Sequence, residues 1–126
     1  MKKSLGLSAL CFAAVSILLV RKTAYAGSHN LDEDSALTLL ERTLKQNHVY
    51  TNRISMKCLT YQTEEATAAC FEFVLREMHN GTCGGDPETN PVVDRYRVYH
   101  NSGTIEWLNR VEDKWQRYNP GKIKSD

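Results

Sequence analysis

The chain has 126 residues, 16 Lys and Arg against 15 Asp and Glu, 41% hydrophobic residues and four cysteines. That length supports one domain with its own core and leaves little room for a second. A formal charge of +1 argues against a dedicated nucleic-acid binder, and the ordinary 25% of charged residues argues against a disordered or multi-spanning chain.

The beginning of the chain differs from the rest. Lys2 and Lys3 precede an uncharged, mostly apolar run from Leu5 to Val20, and Ala24-Tyr25-Ala26 then places small residues where a signal peptidase reads. The run is shorter than the roughly 20 apolar residues of a permanent span. Arg21-Lys22, lying between the run and the cleavage site, is unusual in a signal and leaves an uncleaved membrane anchor as the alternative. Leu10 is too bulky to precede a lipoprotein cysteine at Cys11. Residues 1–26 therefore read as a signal peptide and 27–126 as a single exported domain, in the periplasm or secreted. The export segment holds four basic side chains and no acidic one, so the remainder carries 12 basic against 15 acidic residues.

Helical periodicity comes first. Asn30 and Glu33 have capping-box spacing, and Asp32, Glu33 and Asp34 place negative charge where it favours the helix dipole. Ala36, Leu37, Leu40 and Leu44 recur at helical spacing, with Glu41 and Lys45 as an i,i+4 pair. One amphipathic helix of about four turns is predicted, fraying near Asn47-His48.

The period then changes to two. Ile54 to Thr60 and Ala69 to Leu75 alternate with strand-type side chains, and Thr63 to Thr67 is predicted to be the hairpin loop between them. Val92 to Tyr99 is a third strand and Thr104 to Leu108 a fourth, joined by the turn Asn101-Ser102-Gly103. Lys114 to Tyr118 adds a short edge strand before Pro120-Gly121 ends the fold. The expected architecture is α+β: the helix packed on one face of a four- to five-stranded antiparallel meander, after the signal peptide. Alternation places Phe71, Phe73 and Leu75 against the helix with Ile54, Met56, Cys58, Tyr96, Val98, Ile105 and Trp107. The opposite, polar and aromatic face then carries Tyr61, Glu72, Arg76, Arg95, Arg97 and Tyr99 as the candidate binding face.

With Cys11 in the signal, Cys58, Cys70 and Cys83 remain, an odd set for an oxidising compartment. Cys58 and Cys70 are expected on opposite faces and cannot bridge without distortion. Cys83, in a Gly-rich loop, reaches either. A Cys58–Cys83 disulfide is favoured, with Cys70–Cys83 as the alternative and Cys70 otherwise a free thiol, available to pair two copies as a homodimer.

His79-Asn80-Gly81-Thr82-Cys83-Gly84-Gly85-Asp86-Pro87 is the most distinctive stretch. Gly84 and Gly85 permit positive φ, and Asp86-Pro87 favours a turn, so tight reversal accounts for the loop better than a phosphate cradle, which would open into a helix. Asn80-Gly81-Thr82 also fits the N-glycosylation sequon and is read as a turn. Here the chain resembles a group of small exported bacterial proteins with a Cys-Gly-Gly-Asp-Pro loop leading into a strand like Asp94-Arg95-Tyr96-Arg97-Val98 and a turn like Ser102-Gly103. The similarity spans roughly Cys58 to Trp107. It implies a periplasmic location and a disulfide from the loop to an earlier strand, and no reaction.

Catalysis is the minority reading. His29, His48, His79 and His100 share no metal-ligand spacing, no Cys-x-x-Cys occurs, and nothing orients a base beside Cys70, so no metal, cofactor or enzyme activity is expected. On Arg95, Arg97, Glu72 and Arg76, a cross-strand ladder is weighed against a recognition surface. The expectation is a small periplasmic binding protein of inhibitor or immunity type with a protein partner in the cell envelope; the alternative is an envelope accessory or virulence-associated factor that binds a ligand or self-associates, and a hydrolase stands third. No nucleic-acid partner is expected, given export and the lack of net positive charge, and membrane contact is expected only with an uncleaved signal.

Overall fold

A computed structural model describes residues 30–123; the signal-peptide reading of residues 1–26 lies outside them. Helix α1 spans Glu33–Gln46. Its N-cap is Asp32 rather than Asn30, because Asp32 Oδ1 accepts a hydrogen bond from the Ser35 N–H at 2.8 Å. That bond holds the Asp32 carboxyl below its usual range. Glu33 and Asp34 sit in the first turn and Lys45 in the last, both favourable to the dipole. The stripe Ala36, Leu40 and Leu44 is fully buried. Beyond the C-cap Asn47, His48 takes φ 52° and turns the chain so that Val49 and Tyr50 re-enter the core.

The sheet has five antiparallel strands in sequence order: β1 Leu59–Ala66, β2 Cys70–Glu77, β3 Val92–Tyr99, β4 Ile105–Asn109 and β5 Lys114–Arg117. The helix packs on the face formed by Phe71, Phe73 and Leu75 of β2, Tyr96 and Val98 of β3, and Ile105 and Trp107 of β4. This is the expected α+β architecture of one helix on an antiparallel meander.

The first strand differs from its prediction. Ile54 to Cys58 is not strand; a 3-10 turn runs over Met56–Cys58, and pairing begins at Leu59. Ile54 and Met56 still pack against the core, from a turn. The predicted hairpin loop Thr63 to Thr67 is mostly strand. Thr63 to Ala66 pair with β2 across a bulge at Glu64, and the tight turn lies at Thr67-Ala68-Ala69. At the far end, Pro120-Gly121 does not close the fold: α2, Pro120–Ile123, seats Ile123 in the core at 1% exposure.

Cys58 and Cys83 form the disulfide, 25 residues apart with Cα atoms 5.6 Å from each other. It ties the loop after β2 to the start of β1, and the Met78 N–H donates to Cys58 O at 2.7 Å beside it. The homodimer expected through Cys70 is corrected. Among the described residues the one disulfide is intramolecular, and Cys70 is buried at 7% exposure beneath the Thr67 turn. Thr67 Oγ1 accepts from the Ala69 and Cys70 N–H groups and lies 3.6 Å from Cys70 Sγ, so no sulfur is presented to a second copy. Closing a loop of this length limits the unfolded ensemble by about 3 kcal/mol in the chain-entropy treatment. The Cys58→Ser/Cys83→Ser double variant is therefore expected to lose about 3 kcal/mol in urea unfolding, and a loss below about 1 kcal/mol would show that the bridge does not constrain the unfolded chain.

Candidate binding face

Strand β3 carries two chemistries on its two faces. Asp94, Tyr96 and Val98 point under the helix and are buried, while Arg95, Arg97 and Tyr99 alternate with them on the uncovered side. On that side the register aligns Glu65, Glu72, Arg97, Glu106 and Arg117 in one row across all five strands. Arg97 Nε and Nη2 each lie 3.1 Å from Glu72 Oε2, and the guanidinium carbon sits 3.9 Å from the Trp115 ring centroid. Arg95 reaches the bulged Glu64 with Nε at 2.7 Å and Nη2 at 3.1 Å, a two-pronged pair. This contact holds the Glu64 carboxyl below its usual range and raises Arg95. Tyr99 donates to Glu106 Oε2 at 2.9 Å, which raises the Tyr99 phenol.

The polar side chains cover apolar ones. Val74, on the same face between Gln62 and Arg95 in the register, is only 1% exposed, and Cys70 opposite Tyr99 is also buried. The stems of long polar residues do this on a sheet face that no helix covers among the described residues. Half-exposed ion pairs of this kind contribute roughly 0.2–1 kcal/mol each. Their main effect is to fix rotamers.

Of the six residues expected on this face, Glu72, Arg95, Arg97 and Tyr99 belong to the ladder. Arg76 shares the face but donates through Nη1 to Asn90 O at 3.0 Å, anchoring the segment before β3. Tyr61 is a correction. It pairs with Leu75, packs against the core on the helix side, and has its phenol pushed up to about 12 by burial. With Leu59, Met56, Glu41 and Lys45 it lines a groove of about 460 Å³ between α1 and β1. Sequence reasoning missed Glu64, Glu106 and Trp115 as members of the face. Glu64 falls in a stretch that reads as a loop, while alternation along β4 and β5 carries the signal for the other two.

Beneath Arg95 and Arg97 lies a buried polar network. Tyr50 donates to Asp94 Oδ2 at 2.5 Å, Tyr96 OH is 2.6 Å from Tyr50 OH, and Trp107 Nε1 donates to Asp94 Oδ1 at 3.3 Å. Asp94 is 4% exposed. Burial pushes its carboxyl up, against the opposing pull of the Tyr50 and Trp107 hydrogen bonds and the Arg110 and Arg53 charges. Burial also pushes Tyr50 and Tyr96 well above the ordinary phenol range, so both stay protonated as donors.

The loop after β2 is ordered around His79. Gly84 and Gly85 take φ 76° and 78°, and a Cβ on Gly85 would lie 2.5 Å from the His79 ring. His79 Nδ1 sits 3.0 Å from Asp86 O and 2.8 Å from Thr89 Oγ1, and Asp86 Oδ1 accepts from the Glu88 N–H at 3.0 Å before Pro87-Glu88 turns the chain. Backbone groups are thus used within the loop. Among the described residues no group of three or more His, Cys, Asp or Glu is placed to hold a metal, and no helix is long and apolar enough to cross a membrane. The chain matches no protein-family model, no curated protein and no solved structure.

The raised Asp94 carboxyl has a defined sign in the pH dependence of stability. Its contribution is fully present below the unfolded value near 3.8 and is lost as pH rises through the higher native value. It therefore opposes acid unfolding, whereas Asp32 and Glu64, both lowered, favour it. In urea unfolding between neutral pH and about pH 4, the stability advantage of the native chain over Asp94→Asn is expected to grow toward acid. A pH-independent difference would mean that Asp94 titrates alike in both states.

Proposed function

We propose that the protein is a small exported binding domain of inhibitor or immunity type, and that it engages an envelope enzyme or toxin through the ladder face of its sheet. The observation that carries this reading is the one-sided sheet. The helix covers one face, and the other presents Arg95, Arg97, Tyr99 and Trp115 already held in place by Glu64, Glu72 and Glu106. Arginine, tyrosine and tryptophan are the residues that dominate binding hot spots, and side chains ordered before binding lose less entropy on contact. Export is supported by the basic and apolar start of the chain with its small-residue cleavage site, and by an intramolecular disulfide, which suits an oxidising compartment. The uncovered face presents a row of ordered polar, charged and aromatic groups, which suits a macromolecular partner.

The test is capture from an envelope extract followed by affinity measurement on the captured partner. One stoichiometric enzyme or toxin is expected. Its affinity should fall roughly thirtyfold or more in Arg95→Ala/Arg97→Ala, the effect of losing about 2 kcal/mol at a hot spot. Trp115→Ala, which keeps both ion pairs, should weaken binding in the same direction. Thermal unfolding of each variant separates lost contacts from lost fold. Retained affinity in folded variants of both kinds removes the ladder face from recognition.

A further inference from the structure

Asn80-Gly81 is left unexplained by the binding reading. In the folded loop, Asn80 Oδ1 accepts two backbone hydrogen bonds, from the Thr82 N–H at 2.9 Å and the Cys83 N–H at 2.8 Å. Two further bonds hold the ends of the turn, from the Asn80 N–H to Gly84 O at 3.2 Å and from the Gly84 N–H to Asn80 O at 2.8 Å. Asn80 and Gly81 are exposed, and a Cβ built on Gly81 would meet nothing within 4 Å. We infer that Asn80 is a site of spontaneous modification, in which the Gly81 backbone nitrogen closes on the Asn80 side chain and releases ammonia.

Each group in the loop has a part in that step. The Gly81 nitrogen loses its proton to water and bonds to Asn80 Cγ, forming a five-membered ring. The Cγ–Oδ1 π pair moves onto Oδ1, where the Thr82 and Cys83 N–H groups already point. Two fixed donors at a developing oxyanion stabilise it without reorganisation. The Cγ–Nδ2 bond then breaks, and Nδ2 departs as ammonia with a proton from water, leaving a cyclic imide. Water opens the imide at either carbonyl to aspartate or isoaspartate. The net change is one water consumed, one ammonia released and one negative charge gained. Glycine at position 81 leaves the attacking nitrogen unhindered. A glycan on Nδ2 would need a sugar donor and a transferase, whereas ring closure needs only water.

The same molecule contains the controls. Asn109 Oδ1 also accepts two N–H groups, from Val111 at 3.0 Å and Glu112 at 3.2 Å, but Arg110 follows it. Asn119 Oδ1 accepts from the Gly121 N–H at 3.0 Å, and its successor is Pro120, which has no N–H to lose. Asn101 precedes Ser102 and has no such pair of donors among the described residues. Asn80 alone among these combines a donor pair on the amide oxygen with a following glycine.

The two products differ structurally. Aspartate at position 80 keeps both N–H bonds, now to a charged acceptor and stronger for it. Isoaspartate inserts a methylene into the backbone and breaks the paired Asn80–Gly84 bonds, loosening the loop beside Cys83.

The experiment is peptide mapping of the full folded chain, with its disulfide intact, during incubation in mildly alkaline buffer. Amide-to-acid conversion is expected first at Asn80, with Asn119 unchanged and Asn109 well behind. Gly81→Ala, at a position with open space and no positive φ, should slow conversion roughly tenfold, as a modest rise in barrier would. Asn80 in the folded chain should convert at least as fast as in a linear peptide covering residues 79–86. Slower conversion in the folded chain, or equal rates at Asn80 and Asn109, would overturn the assignment.

Discussion

A carboxylate inside a hydrophobic core has to be matched donor by donor, and the fold is arranged around one. Asp94 takes a hydrogen bond on each oxygen, from Tyr50 beyond the helix and from Trp107 on β4. The network therefore ties the segment after α1, the central strand β3 and strand β4 to one point. Burying a charge costs several kcal/mol even when it is paired, and a well-packed apolar replacement is often as stable. We read the network as a device for register. Because side chains alternate along β3, a slip of one residue would bring Arg95 under the helix and expose Tyr96. The positions of Arg95 and Arg97 on the outer face thus depend on the carboxylate beneath them.

The same alternation explains what the sequence reveals and what it hides. Val92 to Tyr99 is legible residue by residue because one face is apolar, the other charged, and both edges of the strand are paired. Ile54 to Thr60 imitates that pattern without being a strand. Ile54 and Met56 reach the core from a turn, and Cys58 is placed by its disulfide, so their spacing of two reflects separate contacts rather than a pleat. Starting the strand at Leu59 reverses its parity, and for that reason Tyr61 lies on the helix side. Thr63 to Ala66 was obscured in the opposite way. An edge strand with outward carboxylates has the composition of a loop, and the bulge at Glu64 removes the period. What marks it as strand is its pairing with β2, which is tertiary.

The Cys58–Cys83 pairing is legible in the sequence, although Cys58 lies in a 3-10 turn rather than in a strand. Separation of Cys58 from Cys70 is enough to favour that pairing. The two are kept apart by the length of β2, since Cys70 begins that strand while Cys58 precedes Leu59, the partner of Glu77 at its other end. The Asp94 network was not legible. Alternation puts Asp94 on the helix-facing side of β3, but nothing local marks its partners, Tyr50 and Trp107, which lie 44 and 13 residues away in opposite directions.

The electrostatics of the outer face also constrain how it can recognise anything. Its row of Glu65, Glu72, Arg97, Glu106 and Arg117 is of mixed sign, and Arg95 is neutralised by Glu64. Such a face supplies little long-range attraction, so a partner gains little by charge steering. If the face binds as proposed, selectivity would come from short-range fit to side chains already fixed, with Trp115 backing Arg97 and Glu106 holding Tyr99. A like-charge mismatch anywhere along the row would expel one member of an existing pair and leave the other unpaired. Under the proposed binding role, the ladder would select against wrong partners by the same contacts that order it in the free protein.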